Sequence, residues 1–222
     1  MLVAEPKRQP LTAGDYLSRE EFLARWRQLP GVKFAELIEG VVYMPSPLSV
    51  DHGRNDSAVN FWLGHYLAFT PGCDIGTNCT WYMLDDAPQP DVHLRIDTED
   101  GASWVEDRYL HGAPELIVES CVSSTSYDLH QKKDLYAAAG VKEYLAVLLE
   151  TGEVRWHRLV GDSYQTVPCP PDGIIRSIVF PGLWLNVAAL VSNDLRSLLE
   201  TLEKGLASQE HQEFVARLGK RP

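Results

Sequence analysis

A mixed α/β fold is predicted, on three observations. Apolar runs of strand length alternate with segments of helical period, and two pairs of β-prone runs flank the hairpin-type turns Glu39-Gly40 and Gly161-Asp162. An apolar fraction of 45% with 9% aromatic residues, spread over 222 positions, is enough for one sizeable core.

Residues 1–13 hold charges and prolines without an apolar cluster and read as a disordered lead. From Gly14 the chain enters a short helix with Ser18 as its cap, Glu21 three residues on and Pro30-Gly31 beyond its end. Residues 34–44 form a hairpin about Glu39-Gly40 that ends at Pro45-Ser46-Pro47. Residues 52–69 form an amphipathic helix, because Val59, Trp62, Leu63, Tyr66 and Leu67 follow the helical period. After Pro71-Gly72, strands are expected at 79–84, 90–95 and 115–121, the last carrying the unbroken run Leu116-Ile117-Val118 of a strand covered on both faces. Residues 96–112 read as a polar loop. Residues 126–139 are helical and stop at Gly140, residues 143–149 return as a strand, and 154–159 and 163–167 make a second hairpin. Residues 181–185 read as a closing strand or turn. Residues 194–218 form a helix or helix pair striped by Leu195, Leu198, Leu199, Leu202 and Leu206, suited to docking on the domain or on a second copy in a homodimer rather than to catalysis. The expected division is a lead at 1–13, a main domain at 14–191 and a helical tail at 192–222.

Composition narrows the function. Cys73, Cys79, Cys121 and Cys169 show no metal-ligand spacing and are too few to staple a chain of this length, so reduced thiols are expected. The longest apolar run, 144–149, is far below the roughly 20 residues that span a bilayer, which points to no membrane association and a cytoplasmic location. A net charge of −11 argues against a broad, unspecific grip on nucleic-acid phosphates, although bound cations can offset charge locally. No G-x-S-x-G elbow, P-loop or G-x-G-x-x-G is present, so serine hydrolases and nucleotide-fold enzymes lack their usual signatures.

The chemistry concentrates in Gln89-Pro90-Asp91-Val92 and Glu115-Leu116-Ile117-Val118-Glu119, followed by Asp128, Lys132 and Lys133. Asp91 and Glu119 lie in or beside runs that read as buried strands, where a carboxylate costs several kcal/mol unless it is paired or holds a cation. Carboxylates at the ends of neighbouring strands can share one Mg²⁺, with Mn²⁺ an alternative, and the Ser120 carbonyl could add a ligand. Such an ion polarises a phosphoryl group and activates water, while Lys132 on the next helix would orient the water or stabilise the leaving oxygen. The plainer readings are a turn cap for Asp91 and a structural ion pair between Glu119 and Lys132. Glu36 is either an accessory acid or a solvated strand residue, Glu39 belongs to the turn, and His52 is more readily a cap or core hydrogen-bonder than a member of the site.

The chain resembles the Uma-two family of restriction endonucleases, within the PD-(D/E)XK nuclease superfamily. The matching segments are Phe34-Ala35-Glu36-Leu37-Ile38-Glu39-Gly40, Pro45-Ser46-Pro47 with His52, Pro90-Asp91-Val92, Pro114 to Glu119, and Tyr127-Asp128 with Lys132, Tyr136 and Gly140-Val141-Lys142-Glu143-Tyr144. Their order and spacing agree over about residues 15–190, and the ordered set is more specific than any one fragment. The resemblance implies a restriction-endonuclease-like mixed sheet flanked by helices, an active site at Asp91 and Glu119 with a basic residue, and Mg²⁺-dependent cleavage of DNA. The superfamily pattern places a lysine two residues after the second acid, where this chain has Cys121; Lys132 matches a lysine moved to the following helix, and Lys133, about 100° around that helix, is the fallback. Three functions are therefore weighed in this order: a metal-dependent DNA endonuclease, a weak or inactive nuclease-fold protein acting as a binding module, and a different hydrolase.

Overall fold

The computed structural model describes residues 9–44, 47–121 and 127–219, the side chains of 127–129 excepted. Pro45-Ser46, residues 1–8 of the lead, the helix start at Ser126 and the side chains of Tyr127 and Asp128 lie outside what is described.

Helix α1 (Arg19–Trp26) begins where Ser18 accepts from the Glu21 amide at 3.3 Å, the expected cap. Strands β1 (Glu36–Ile38) and β2 (Val41–Tyr43) form the N-terminal hairpin. Its two turn residues, Glu39 and Gly40, both take left-handed backbone (φ 51° and 76°), as a two-residue turn of this hand requires. The Asp86 carboxylate accepts from both turn amides at 2.9 and 3.1 Å, which offsets the strain of a non-glycine residue there. Within the described part of the lead, Leu11 is buried with Phe22, Leu37 and Val42, where it supplies apolar cover for the hairpin.

Helix α2 (Val50–Ala68) lies along one face of a six-stranded sheet. The sheet comprises β3 (Cys73–Thr77), β5 (Val92–Ile96), β8 (Leu116–Cys121), β9 (Glu143–Leu148), β10 (Glu153–Val160) and β11 (Ser163–Val167) in the order β11-β10-β9-β8-β5-β3. Only the β8–β9 pairing is parallel within it; the others are antiparallel. A parallel neighbour needs a crossover, supplied by a π-helical turn (Tyr127–Lys132) that runs into α3 (Lys133–Ala139), stopped by left-handed Gly140. Strand β4 (Trp81–Tyr82) joins β6 (Ser103–Glu106) and β7 (Tyr109–Gly112) in a small separate sheet. Residues 96–112, expected as a loop, therefore contain two strands. Their outward side chains are polar or exposed, which hid the alternation.

Alternate residues of β8 face opposite layers. Leu116 and Val118 join the core under α2, with Trp62, Leu63 and Tyr66; Ile117 and Cys121 join the core under α3, with Tyr136 and Tyr144. The hairpin of β12 (Ile174–Arg176) and β13 (Trp184–Asn186) leads through α4 (Val187–Val191) into α5 (Leu195–Leu206) and α6 (Gln209–Leu218). Leu198, Leu202, Phe214 and Leu218 are buried in the α2-side core, so the leucine stripe is spent largely within the chain. Among the described residues, no helix is long and apolar enough to cross a membrane.

Candidate metal and catalytic site

The site straddles the end of the sheet where β5 starts and β8 finishes. By the alternation of β8, Glu119 points to the α3 side and Ser120 to the α2 side. The Ser120 amide donates to Asp91 Oδ2 at 2.8 Å, and the Asp91 amide faces Glu119 Oε2 at 3.4 Å. Each strand end thus holds the carboxylate of the other, and Asp91 and Glu119, 28 residues apart in sequence, meet here.

On the α2 side, the first turns of the helix bring in His52 and Asp56, spaced four residues apart and so on one face. His52 Nε2 lies 3.2 Å from Asp56 Oδ2 and 3.6 Å from Asp91 Oδ2. One ligand atom from each of the three residues lies within 4.8 Å of the others. Oxygen ligands surround a divalent ion at about 2.0–2.6 Å, so atoms grouped this closely can share one. Ser120 Oγ donates to Asp56 Oδ1 at 2.6 Å and accepts from Asn55 at 2.8 Å, fixing the second carboxylate.

On the α3 side, Glu119 Oε1 receives the Tyr136 hydroxyl at 2.6 Å and the Lys132 ammonium at 3.1 Å. Lys132 Nζ also lies 3.0 Å from Glu36 Oε1, and that same oxygen accepts from the Gln89 amide at 2.7 Å. Glu119 and Lys132 are almost fully enclosed, whereas Asp56 and Asp91 remain partly open. Glu119 falls outside the His52, Asp56, Asp91 group.

The charges follow from these neighbours. The carboxylates of Asp56 and then Asp91 beside its ring raise the His52 pKa to about 10 against the opposing effect of burial, so the imidazole is a cation while only the two carboxylates face it. Burial pushes Asp91 upward, but the His52 hydrogen bond, the Lys132 charge and the Ser120 amide outweigh it, and its pKa is lowered. Burial, reinforced by the Glu119 charge, keeps the Tyr136 phenol protonated and therefore a donor.

The structure thus brings Asp91, Glu119, Lys132 and Glu36 together, and it adds His52 as a neighbour of Asp91 rather than a mere cap. Lys133, the fallback cation, lies near enough to His157 for its charge to lower that imidazole's pKa. Cys121 is buried in the α3-side core. Sequence reasoning missed Asp56 and Asn55. The His52-x-x-x-Asp56 spacing carries the signal, but these polar first turns lie outside the apolar stripe that identifies α2.

The donor set fits a divalent cation: two carboxylates and an imidazole converge, and His52 Nε2 is buried without a well-directed hydrogen bond despite its two acidic neighbours. The mixture of oxygen and nitrogen ligands suits Mn²⁺ at least as well as Mg²⁺.

Comparison with known proteins agrees with this architecture. A crystal structure of a "putative nuclease belonging to DUF820" from Anabaena variabilis ATCC 29413 is similar over 79% of this chain and 98% of its own, with 17% sequence identity and a TM-score of 0.60; at that identity the likeness speaks for the fold. No curated protein matches the chain. A family model, Uma2, described as "Putative restriction endonuclease", matches residues 19–188, from the first residue of α1 through the sheet and into α4. The chain belongs to the Uma2 family.

Proposed function

We propose that the chain is a metal-dependent endonuclease that hydrolyses phosphodiester bonds in DNA. The observation that carries this reading is the convergence of His52, Asp56 and Asp91 beside the enclosed Glu119–Lys132 pair. His52, Asp56 and Asp91 would hold the cation, with Glu119 behind Asp91 as the second acid of the site. A bound divalent ion supplies Lewis-acid polarisation of the scissile phosphoryl group and eases deprotonation of a water. His52 must give up its proton when it acts as a ligand, so ion binding releases a proton. Lys132 places a positive charge beside the carboxylates, where a phosphate would otherwise be repelled. Tyr136 and Glu36 hold that ammonium and the Glu119 carboxylate in one orientation, and Ser120 and Asn55 do the same for Asp56.

The test is cleavage of supercoiled plasmid and of labelled oligonucleotides with Mg²⁺ or Mn²⁺, on the wild type and on Asp91→Asn. Ion-dependent nicking by the wild type, reduced at least a hundredfold in the variant, supports the reading; equal nicking by both refutes it.

A second reading rests on two observations: Lys132 is held between two carboxylates, and the usual lysine position carries buried Cys121. A cation so occupied suits a weak or inactive nuclease fold that binds a partner. Ion binding by calorimetry without any cleavage would favour it.

A further inference from the structure

We propose that the cleft between α1 and the small β4-β7-β6 sheet holds an unpaired stretch of a nucleic-acid strand and leads it to the Asp91 site; this rests on the nuclease reading above. The cleft has a volume of about 300 Å³ and is lined by Trp26, Arg27, Lys33, Thr80, Gln89 and Tyr109 among others, with two cations and no carboxylate in the lining. In a chain of net charge −11, a concavity with that lining is a local exception. Arg27 and Lys33 are exposed at its rim.

One lining residue is a single backbone hydrogen bond away from the site. Gln89 lines the cleft, and its amide donates at 2.7 Å to the Glu36 oxygen that lies 3.0 Å from Lys132. Asp91 follows two residues later in the chain. A strand seated on Gln89 would therefore have its next phosphate close to the acidic cluster.

Trp26 and Tyr109 put planar rings in the lining, and further rings lie beside it. Tyr109 stacks on Tyr82 with ring centres 5.1 Å apart and planes 21° apart, Arg19 lies 5.4 Å over the Tyr82 ring, and Arg27 is within reach of the Tyr82 phenol. Further along the same sheet, exposed Trp104 stacks on His111 at 5.5 Å, and His111 meets Tyr82 edge-on at 4.8 Å. Single strands are held by aromatic rings on which bases stack, together with cations along the backbone: an unpaired base presents a face that stacks, whereas a base inside a duplex does not. A duplex would instead require many phosphate contacts, which this charge balance does not provide.

The experiment measures binding of the full chain to a fluorescein-labelled oligothymidylate and to a blunt duplex of equal length, by anisotropy with chelator present so that no cleavage occurs. The single strand is expected to bind at least tenfold more tightly than the duplex. Tyr109→Ala should weaken it about tenfold, and Tyr109→Phe, which keeps the ring, should bind as the wild type does. The slope of log K against log salt should be shallow, near −1.4 for two phosphate contacts, and should fall towards zero in the Arg27→Gln, Lys33→Gln double variant, about 0.7 per cation removed. Equal or tighter duplex binding, affinity unchanged in all these variants, or displacement of the strand by polyglutamate at equal charge would each overturn the proposal. Cleavage of the same labelled oligothymidylate with Mn²⁺ added, run in parallel, separates the two readings. Cleavage that depends on Asp91 with strand binding indifferent to the cleft variants removes the cleft alone; strand binding through the cleft without cleavage removes the nuclease reading and leaves the cleft standing.

Discussion

The Lys132 ammonium sits 3.1 Å from the Glu119 carboxylate, with 5% and 3% of their side chains exposed. Ions so enclosed have lost their hydration, and each depends on the other for compensation. Lys132→Met would leave Glu119 and Glu36 facing one another without a cation. A loss of about 3–5 kcal/mol in unfolding free energy is expected. Adding Glu119→Gln to that variant should recover part of it. Urea denaturation of the single and double variants checks this, and a Lys132→Met protein as stable as the wild type would show that the pair is dispensable to the fold.

Cys121 occupies the position where the superfamily pattern has lysine, yet its side chain lies among Ile117, Leu135, Tyr136 and Leu148. Cys121→Lys should therefore not add a cation to the proposed site. It should cost several kcal/mol by burying a charge without a partner, while Cys121→Val, near in volume, should change stability by less than about 1.5 kcal/mol. Thermal unfolding of both variants, with plasmid nicking alongside, decides the matter; a stable and more active lysine variant would contradict it.

If the ion sits among His52, Asp56 and Asp91, Asp56→Asn should weaken Mn²⁺ binding by at least tenfold, since one charged ligand becomes neutral. Glu119→Gln, outside that group, should affect affinity less. Titration calorimetry with Mn²⁺ on both variants gives the order directly. The reverse order would move the ion to the α3 side of the strand end.

His157 titrates away from the site. Burial first, then the Lys133 and Arg155 charges, lowers its pKa from 6.5 to about 4. The folded state therefore keeps the imidazole neutral where the unfolded chain already binds a proton. The stabilisation is present above pH 6.5 and is lost as pH falls towards 4, at up to about 1.4 kcal/mol per pH unit. Unfolding free energies of the wild type and His157→Gln between pH 7 and 4.5 should converge as the pH drops. Parallel curves would exclude His157 as the cause.

Most of the elements around the site were legible in the sequence, because each rests on a local rule. Ser18 and Gly140 mark helix ends, Glu39-Gly40 marks a hairpin turn, and the unbroken run before Glu119 marks a strand enclosed on both faces. Strand β3 was not legible: its residues are half-buried at a sheet edge, and Cys-Asp-Ile-Gly-Thr shows no alternation. Strands β6 and β7 were masked by outward residues such as Trp104 and Val105, which stay exposed. Within the site, Asp91, Glu119 and Lys132 stood out because charges beside apolar runs demand a reason. Asp56 did not, since an acid on an exposed helix turn demands none; only the fold sets it opposite Asp91.

The parallel pairing of β8 with β9 has a consequence for assembly. Glu119 rides on the outgoing strand and Lys132 on the crossover, 13 residues later, so their ion pair ties the crossover to the strand it leaves. A chain in which that crossover has not closed accordingly carries Glu119 apart from Lys132.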